Sequence, residues 1–334
     1  MIKVAINGFG RIGRLAFRQI VTQTDFDIVA INDLTSAEDL AYLVKYDTVH
    51  RSFHENEITY EGDEIVVAGT KRIKVFSETD PANLPWGELG VDLVLECTGK
   101  FTKFEDAKKH LDAGAKKVLI SAPGKGLMKT IVYNVNHNDL TNEDTIVSAA
   151  SCTTNFLAPV LKVINDNIGI KKGFMTTVHA YTNDQATLDI AHKKGIKARR
   201  GRACAQNIVP ASTGAAKAIG LVIPDLLNKM DGNAFRVPVA DGSVIDVTLE
   251  LKKNTTVEEI NKLFKDNQDE TLKYTEDPIV SSDIIGKKYG ALVDGLSTSI
   301  VESDGTQLVK VVAWYDNEYG YTAQMLRTAK KMFE

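Results

Sequence analysis

Residues 8–13, Gly-Phe-Gly-Arg-Ile-Gly, follow an alternation of apolar residues at Ile2, Val4 and Ile6 and precede an apolar segment of helical spacing at 15–21. Strand, glycine-rich turn and helix in this order are the context in which a G-x-G-x-x-G motif binds a dinucleotide. Such a motif also occurs as a plain glycine-rich turn. The surrounding pattern favours dinucleotide binding and, with it, a doubly wound α/β sheet.

The positions within the motif have separate roles under this interpretation. Gly8 makes the tight turn, Gly10 lets the backbone approach a pyrophosphate, and Gly13 lets the helix pack closely on the strand. The next predicted strand, 28–31, is followed by Asp33, which lies twenty residues after Gly13. A carboxylate at this spacing accepts hydrogen bonds from the ribose hydroxyls of the adenosine half.

The α/β pattern continues through the first half of the chain. Further strands are predicted at 91–97, 118–120 and 146–147, and a helix is predicted at 103–113. Near-continuous apolar strands separated by helices are typical of a parallel sheet covered on both faces. Thr98 and Ser121 follow two of these strands, so we expect them at the carboxyl edge where open α/β sheets bind ligands.

The second half of the chain has a different pattern. Longer alternating strands are predicted at 175–178, 243–251 and 307–314, which indicates a mixed or antiparallel sheet. The fold class is therefore α/β, with a Rossmann-type doubly wound parallel sheet and a separate α+β domain. We expect a nucleotide-binding domain at 1–150, completed by a C-terminal helix at 317–334, and a catalytic domain at 151–316.

Composition argues against a nucleic-acid-binding or membrane protein. The 334 residues carry a formal net charge of −4, which gives no overall attraction to nucleic acid or anionic lipid. No apolar segment approaches the ~20 residues that span a bilayer, and the immediate first strand leaves no room for a signal peptide. Three cysteines show neither a disulfide framework nor zinc spacing, so we expect a cytoplasmic protein without metal. The basic cluster 193–202 lacks the aromatic residues that would favour nucleic-acid binding. It is interpreted either as a solvated loop or as a contact to an anion or another subunit.

Cys152 lies within Ser-Cys-Thr-Thr-Asn, residues 151–155, at the start of an apolar run of helical spacing. Unpaired N–H groups and the positive dipole end of a helix stabilise a thiolate, the nucleophilic form of cysteine. The alternative is a small buried apolar residue, a common role of free cysteine. Cys97, in an apolar strand, and Cys204, in a mixed loop, are expected to be structural.

His179 is the predicted base for this thiol, because it directly follows the strand 175–178. A histidine at a strand end is often structural, and only the proposed cysteine partner gives it a chemical role. The two would form an ion pair and act in acid–base catalysis. With a dinucleotide site, this pair suggests oxidation of an aldehyde through a hemithioacetal and a thioester. The other histidines occupy polar stretches and are expected to be solvated: His50, His54, His110, His137 and His192.

Six motifs in order make the chain closely similar to the phosphorylating glyceraldehyde-3-phosphate dehydrogenases. They occupy residues 8–13, 151–155, 179–182, 212–217, 235–238 and 314–318. The resemblance extends from residue 2 to the predicted C-terminal helix. It implies oxidation of D-glyceraldehyde 3-phosphate to 1,3-bisphosphoglycerate in glycolysis, with inorganic phosphate as co-substrate and NAD as cofactor. It also implies a homotetramer.

The resemblance further implies the residues of the site. Cys152 would be the nucleophile and His179 its base. A site for the substrate phosphate is implied at Thr182, Asp184 and Arg236. A site for inorganic phosphate is implied at Ser151, Thr153, Thr213 and Gly214, with Arg200 approaching it. Cofactor contacts are implied at Gly8, Gly10, Arg11, Ile12, Gly13, Asp33, Thr98, Ser121 and Asn317. Among these, Arg11 and Ile12 would meet the pyrophosphate, Asp33 the adenosine ribose, Ser121 the nicotinamide half and Asn317 the carboxamide.

The sequence departs from the family pattern at four places. Phe156 replaces a second cysteine, which removes an intramolecular disulfide route for Cys152. Thr79 replaces an arginine near the adenine, so the adenine contacts differ from the family pattern. Asp33 repels a 2′-phosphate and so favours NAD over NADP. Ala191 replaces a proline, and this departure weakens that preference. The basic loop is about one residue longer than usual, which puts the assignment of Arg200 in doubt.

Two alternatives accompany this interpretation. An erythrose-4-phosphate dehydrogenase would use the same thiol and cofactor but hydrolyse its thioester. A surface adhesin or RNA-binding protein is an alternative of a different class, although no sorting signal or aromatic–basic surface supports it as the main role.

Overall fold

The computed structural model describes residues 1–193 and 195–334; Lys194, within the predicted basic cluster 193–202, lies outside the described residues. The chain divides into two compact units. The first comprises Met1–Ser151 and Met325–Glu334, and the second comprises Cys152–Gln324. Each unit contains one β-sheet.

The first unit alternates strands and helices through most of its length. Its strands are β1 (Ile2–Asn7), β2 (Phe26–Asn32), β3 (Ile58–Glu61), β4 (Glu64–Val67), β5 (Lys71–Phe76), β6 (Leu93–Glu96), β7 (Lys117–Ile120), β8 (Lys129–Thr130) and β9 (Ile146–Ser148). Its helices are α1 (Arg11–Ile20), α2 (Ala37–Lys45), α3 (Trp86–Leu89) and α4 (Phe104–Asp112).

The sheet of the first unit has the strand order β3-β4-β5-β2-β1-β6-β7-β9-β8. β1 pairs in parallel with β2 on one side and with β6 on the other. The chain order therefore reverses at β1, as in a doubly wound fold, and the carboxyl end of β1 is the expected ligand position. The predicted parallel sheet extends from β5 to β8, whereas β3–β4 and β4–β5 pair antiparallel at the edge.

The glycine motif forms the turn between β1 and α1. Gly8 has a φ of +90°, and a Cβ there would lie 2.7 Å from the backbone nitrogen of Thr98. A Cβ on Gly13 would lie 2.2 Å from the carbonyl oxygen of Gly8. Both positions therefore exclude a side chain, as the sequence predicted for the turn and for helix–strand packing.

The end of the chain contributes to the core of the first unit. Met325, Leu326, Ala329 and Met332 are buried in the cluster formed by the apolar residues of β1, β2, α1 and α2. Burying a large apolar side chain of this kind contributes about 2 kcal/mol to stability.

The second unit begins with a long helix and continues as a mixed sheet. Its strands are β10 (Ile170–Ala180), β11 (Val209–Ser212), β12 (Met230–Val237), β13 (Ser243–Leu251), β14 (Leu272–Thr275), β15 (Ala291–Ser303) and β16 (Thr306–Tyr315). The helices that follow the unit boundary are α5 (Cys152–Asn167), α6 (Ala215–Val222), α7 (Val257–Asp266) and α8 (Tyr319–Lys331). α8 starts two residues after the predicted position 317, and its residues through Gln324 group with the second unit.

The sheet of the second unit has the order β11-β12-β10-β13-β16-β15-β14. β10 pairs in parallel with β12 and antiparallel with β13, so the sheet is mixed, as predicted. The alternation along β13 buries every second residue from Ser243 to Leu251, which is the pattern of a strand with one face in the core.

The expected solvation of His110 is wrong. Its side chain is fully buried between Glu96 and Trp86, with hydrogen bonds to both. It lies on the inner face of α4, and its polar sequence neighbours gave no sign of that partnership. Within the described part of the chain, no helix has the length and apolarity required for a membrane crossing.

Candidate active site

Cys152 is the first residue of α5, and its Sγ lies 3.5 Å from Nε2 of His179. His179 is near the end of β10 and is 2% exposed, whereas Cys152 is only partly buried. The start of a helix and the end of a strand thus bring the predicted nucleophile and base into contact. A sulfur–nitrogen distance of this size suits proton transfer between the two side chains.

Nδ1 of His179 lies 2.7 Å from the carbonyl oxygen of Ala180. A carbonyl oxygen only accepts hydrogen bonds, so Nδ1 carries the proton. Nη1 of Arg236 lies 3.0 Å from Nδ1, but its two hydrogens are donated to the same carbonyl oxygen at 2.9 Å and to Oγ1 of Thr182 at 3.0 Å. The lone pair of the neutral ring is then on Nε2, which faces the thiol.

The electrostatics of this pair differ from the sequence-based expectation of a thiolate formed by the helix start. Burial raises the pKa of the Cys152 thiol, and the positive charge of Arg236 and the hydrogen bonds of Thr153 only partly oppose it. Burial and the charge of Arg236 lower the pKa of His179 to about 3. Both shifts favour the uncharged thiol and imidazole over the ion pair, whereas the charge of Arg236 favours the thiolate.

Tyr315 is a buried neighbour of the pair that the sequence analysis missed. Its ring stacks on Phe156 at 4.2 Å and meets the ring of His179 edge-on at 5.8 Å. Its hydroxyl lies 2.7 Å from Oγ1 of Thr177 and 3.4 Å from Oγ1 of Thr153. Burial raises the pKa of this phenol, which keeps it protonated. The inward alternation of β16, which ends at Tyr315, was the available signal.

Arg236 lies beside His179 because the two are register partners on β12 and β10. Its Nη1 also donates to Oγ1 of Thr182 at 3.0 Å, and that hydroxyl donates to Asp184 at 2.5 Å. Arg200 forms an ion pair with Asp184. The structure thus brings together the four residues predicted around two phosphates, although Asp184 bonds to Thr182 and Arg200 rather than to Arg236.

This group of side chains has a surplus of positive charge. Two guanidinium groups share one carboxylate, and burial followed by the charge of Arg200 lowers the pKa of Arg236. Nε of Arg236 is buried and has no hydrogen-bond partner among the described residues. An anion with several acceptor oxygens would satisfy this nitrogen and offset the charge repulsion.

Other predicted site residues lie elsewhere in the second unit. Oγ1 of Thr213 accepts a hydrogen bond from the backbone of Ala215, and Gly214 caps the start of α6. Across the described residues, no hydrogen bond joins Thr213 or Gly214 to Cys152 or Arg236. The amide oxygen of Asn317 accepts a hydrogen bond from Ser243 at 2.6 Å. Ser151 ends the first unit.

The first unit contains a cavity of about 320 Å³ at the carboxyl end of β1. The predicted cofactor residues that line it are Gly8, Gly10, Asp33 and Thr98, together with Thr79 and Leu34. A Cβ on Gly10 would meet nothing within 4 Å, so the backbone there borders open space. Asp33 accepts hydrogen bonds from the backbone of Phe9 at 2.7 Å and Thr35 at 3.1 Å, which orient its carboxylate.

The helix α1 starts directly after Gly10, with no side-chain cap and no acidic residue in its first turn. A helix start of this kind is suited to a pyrophosphate. Arg11 forms an ion pair with the buried Asp47, and neither Arg11, Ile12 nor Ser121 lines the cavity. Ser121 follows β7 and donates its backbone N–H to Glu96 at 3.0 Å. The cavity therefore fits the adenosine and pyrophosphate part of a dinucleotide.

Two family models match the chain. Residues 2–104 match the model described as glyceraldehyde 3-phosphate dehydrogenase, NAD binding domain, and residues 151–317 match glyceraldehyde 3-phosphate dehydrogenase, C-terminal domain.

Full-length relatives give the same result. The chain is 60% identical over 328 residues to the glyceraldehyde-3-phosphate dehydrogenase of Clostridium pasteurianum, covering 98% of this chain and 97% of the relative. It is 58% identical over 328 residues to the glyceraldehyde-3-phosphate dehydrogenase of Clostridium acetobutylicum, with the same coverage of both chains. It is 55% identical over 329 residues to the glyceraldehyde-3-phosphate dehydrogenase of Streptococcus pyogenes, covering 98% of this chain and 97% of the relative.

Proposed function

The chain belongs to the glyceraldehyde-3-phosphate dehydrogenase family, and from that membership and the geometry above we propose that it performs the reaction of that family. It oxidises D-glyceraldehyde 3-phosphate, with NAD and inorganic phosphate, to 1,3-bisphosphoglycerate and NADH, as a step of glycolysis. The observation that carries this proposal is the 3.5 Å contact between Cys152 and His179 beside the cationic group of Arg236 and Arg200.

Substrate binding starts at the cations. Arg236 and Thr182, oriented by Asp184, donate to the phosphate of the aldehyde, and the unsatisfied Nε of Arg236 gains an acceptor oxygen, while Arg200 approaches the inorganic phosphate. The added negative charge offsets the cations that lower the pKa of His179. Proton transfer from the Cys152 thiol to Nε2 then becomes easier at the moment when the aldehyde carbon is in place.

His179 moves the protons of the reaction. The Cys152 sulfur attacks the aldehyde carbon while Nε2 takes the thiol proton and returns it to the carbonyl oxygen, which gives a hemithioacetal. Nε2 then removes that hydroxyl proton as hydride leaves the carbon, and a thioester remains on Cys152. When bound, NAD supplies the acceptor for this hydride.

Inorganic phosphate ends the cycle. Its oxygen attacks the thioester carbon, the Cys152 sulfur leaves, and the acyl phosphate forms. Ser151, Thr153, Thr213 and Gly214 would bind this second phosphate, with hydroxyl and backbone donors that suit its oxygens. Tyr315 holds the ring of His179 in position through an edge-on contact.

The cofactor is bound by the first unit. Gly10 leaves room for the pyrophosphate at the start of α1, Asp33 accepts the ribose hydroxyls, and Thr98 lines the same cavity. Asp33 carries a negative charge and Leu34 adds no positive one, so a 2′-phosphate is repelled and NAD is preferred. Arg11, Ile12, Gly13, Ser121 and Asn317 complete the proposed cofactor contacts.

We propose that the protein is cytoplasmic and forms a homotetramer. Leu188, Ile190, Ile196 and Ile208 are each at least 65% exposed in the isolated chain, which supports association with further copies. Light scattering coupled to size-exclusion chromatography should give four times the 36.6 kDa mass of the chain. A monomer at micromolar concentration contradicts this assembly.

The decisive experiment is the formation of NADH by the purified protein with and without inorganic phosphate. The proposal expects rapid, phosphate-dependent reduction of NAD with D-glyceraldehyde 3-phosphate. Equal rates without phosphate, with erythrose 4-phosphate as the better substrate, would instead identify the hydrolytic alternative. No reduction of NAD by either aldehyde contradicts the dehydrogenase assignment.

A further inference from the structure

Three neighbouring strands of the first sheet end in polar residues that share one register. Asn7 of β1 pairs with Asn32 of β2 and with Glu96 of β6. All three side chains are buried, at 1%, 5% and 1% exposure. Buried polar groups are costly unless they are paired, so their arrangement has a direct energetic consequence.

The three side chains form one continuous chain of hydrogen bonds. Nδ2 of Asn7 donates to Glu96 at 2.5 Å, and Nδ2 of Asn32 donates to Oδ1 of Asn7 at 2.7 Å. Oδ1 of Asn32 accepts from the backbone N–H of Glu78 at 2.8 Å, and its Nδ2 donates to the carbonyl of Glu78 at 2.9 Å. At the other end, Glu96 accepts from the backbone N–H of Thr98 at 2.8 Å and from its hydroxyl. We call Glu78, Asn32, Asn7, Glu96 and Thr98 the strand-end network.

The directions of the bonds in this network are set at one end by Glu96 and at the other end by the backbone of Glu78. An ionised carboxylate only accepts, so the side of the Asn7 amide that faces it must be the NH₂ group. The oxygen of Asn7 then faces Asn32, and the same reasoning fixes the amide of Asn32 against the backbone of Glu78. The Glu96 carboxylate and the Glu78 backbone therefore require the same orientation of the two amides across three strands.

His110 and Trp86 complete the surroundings of Glu96. The indole N–H of Trp86 donates to Nδ1 of His110 at 3.0 Å, and an indole can only donate. The proton of the ring is consequently on Nε2, which lies 3.0 Å from Glu96 and donates to it. Glu96 thus accepts four hydrogen bonds, from His110, Asn7 and twice from Thr98, and its buried charge is balanced by donors alone.

The two ends of the strand-end network lie on the dinucleotide cavity. Glu78, Asn32, Asn7 and Thr98 all line it, whereas Glu96 and His110 lie behind its wall. We propose that Glu96 is a positioning residue for cofactor binding, which holds the Glu78 and Thr98 walls of the cavity at the separation that the adenosine half of NAD requires. The proposal rests on the cofactor site described above.

The primary test is Glu96→Gln in the full-length protein. A glutamine brings an NH₂ group against donors, so at least one bond at the Thr98 end of the network is lost, while the Glu78 backbone still holds Asn32. Calorimetry should show Kd values for NAD and for ADP-ribose that rise about tenfold. The kcat at saturating NAD and the KM for the aldehyde should stay within about twofold. The matched control, Glu105→Gln on the exposed side of α4, should leave both Kd values unchanged.

A second substitution should restore the network. In the double variant Asn7→Asp with Glu96→Gln, the new glutamine donates to the new carboxylate, which still accepts from Asn32, so the bonds across the three strands return although the bond from His110 does not. We expect the Kd for ADP-ribose to return to within about threefold of wild type. Asn7→Asp alone places two carboxylates together, so its Kd for ADP-ribose should be higher than that of wild type and that of the double variant. A merely structural role of Glu96 predicts that the two substitutions add rather than compensate.

Trp86→Phe provides a second test that does not depend on the folding of Glu96→Gln. Trp86→Phe removes the donor to Nδ1 of His110, so the ring is free to exchange its tautomer and weaken its bond to Glu96. Nitrogen-15 NMR should show a protonated Nε2 at His110 in the wild type and a mixed population in Trp86→Phe, whose Kd for ADP-ribose rises about threefold.

Unchanged Kd values in folded Glu96→Gln and Trp86→Phe overturn the positioning role. If wild type binds ADP-ribose but shows no oxidation of the aldehyde, the failure belongs to the proposed reaction and not to this inference.

Discussion

Nη1 of Arg236 lies 3.0 Å from Nδ1 of His179, on register partners of two parallel strands. One guanidinium therefore acts on both parts of the proposed chemistry. In the proposed reaction it binds the substrate phosphate through its remaining donors. Its charge also lowers the pKa of His179 and opposes the rise that burial causes in the pKa of Cys152. Substrate recognition and proton transfer are thus electrostatically coupled.

Arg236→Leu should raise the KM for D-glyceraldehyde 3-phosphate at least about tenfold, because a charge-assisted contact to the phosphate is lost. The pKa of Cys152 should rise further, so the midpoint of iodoacetamide alkylation moves to higher pH. Arg236→Lys, which keeps the charge, should retain the midpoint of wild type. Steady-state kinetics and alkylation rates between pH 6 and about pH 10 measure both effects. An unchanged KM removes Arg236 from the substrate site.

His179→Asn should lower kcat by about 10²- to 10⁴-fold, the usual contribution of a general base. The lone pair that faces the thiol is lost, so alkylation of Cys152 near neutral pH should slow as well. His54→Asn, on the exposed surface, is the matched control and should behave as wild type. Equal alkylation rates in wild type and the His179 variant across the pH range argue against proton transfer between the two residues.

Cys152→Ser should abolish oxidation of the aldehyde, because the hydroxyl is a far weaker nucleophile than the thiol. Its Kd for NAD should stay within about twofold of wild type, since the proposed adenosine and pyrophosphate contacts are in the first unit. Calorimetry with NAD and a coupled assay separate the two properties. Residual phosphate-dependent NADH formation above background contradicts the proposed nucleophile.

Asp33→Gly combined with Leu34→Ser should admit NADP, because the substitutions remove the negative charge and the bulk beside the ribose. The kcat/KM ratio of NADP to NAD should rise at least about tenfold, as a lost charge repulsion of more than 1.4 kcal/mol requires. Leu34→Ser alone keeps Asp33 and should keep the preference for NAD. Efficient use of NADP by wild type contradicts the role given to Asp33.

Asp47→Asn should reduce stability near neutral pH by about 2 kcal/mol. Burial alone would raise the pKa of Asp47, but the hydrogen bond from the His50 backbone and the Arg11 ion pair together lower it to about 2, below the usual 3.8. The stabilisation is therefore present above pH 3.8 and is lost as the pH falls through about 2. Urea unfolding at several pH values should show a smaller acid loss in the variant, while Asp277→Asn on the surface follows wild type.

The sequence predicted the parts of the fold that depend on local patterns. The turn at Gly8, the helix beginning at Cys152 and the strand 243–251 follow from residues within a few positions of one another. The antiparallel strands β3 and β4 were missed because each is only four residues long, although Gly62 between them has the positive φ of a hairpin turn.

The unpredicted parts of the site depend on partners distant in sequence. Neither the pairing of Asp47 with Arg11 nor that of His110 with Glu96 has a local signature, because each residue looks solvated among its neighbours. The surroundings of Cys152 depend on distant partners in the same way. The helix start was visible in the sequence, but the burial that raises the thiol pKa comes from the packing of other segments around it.

The register between β10 and β12 restricts how this chain can evolve by changes of length. Deleting one residue from β10 ahead of His179 would turn its imidazole to the opposite face of the sheet, away from Arg236. The contact between the proposed base and the proposed phosphate ligand on β12 would be lost in one event, whatever the new sequence. Insertions and deletions in homologous enzymes should therefore accumulate in the loop after Ala180 and be excluded from the strand before it.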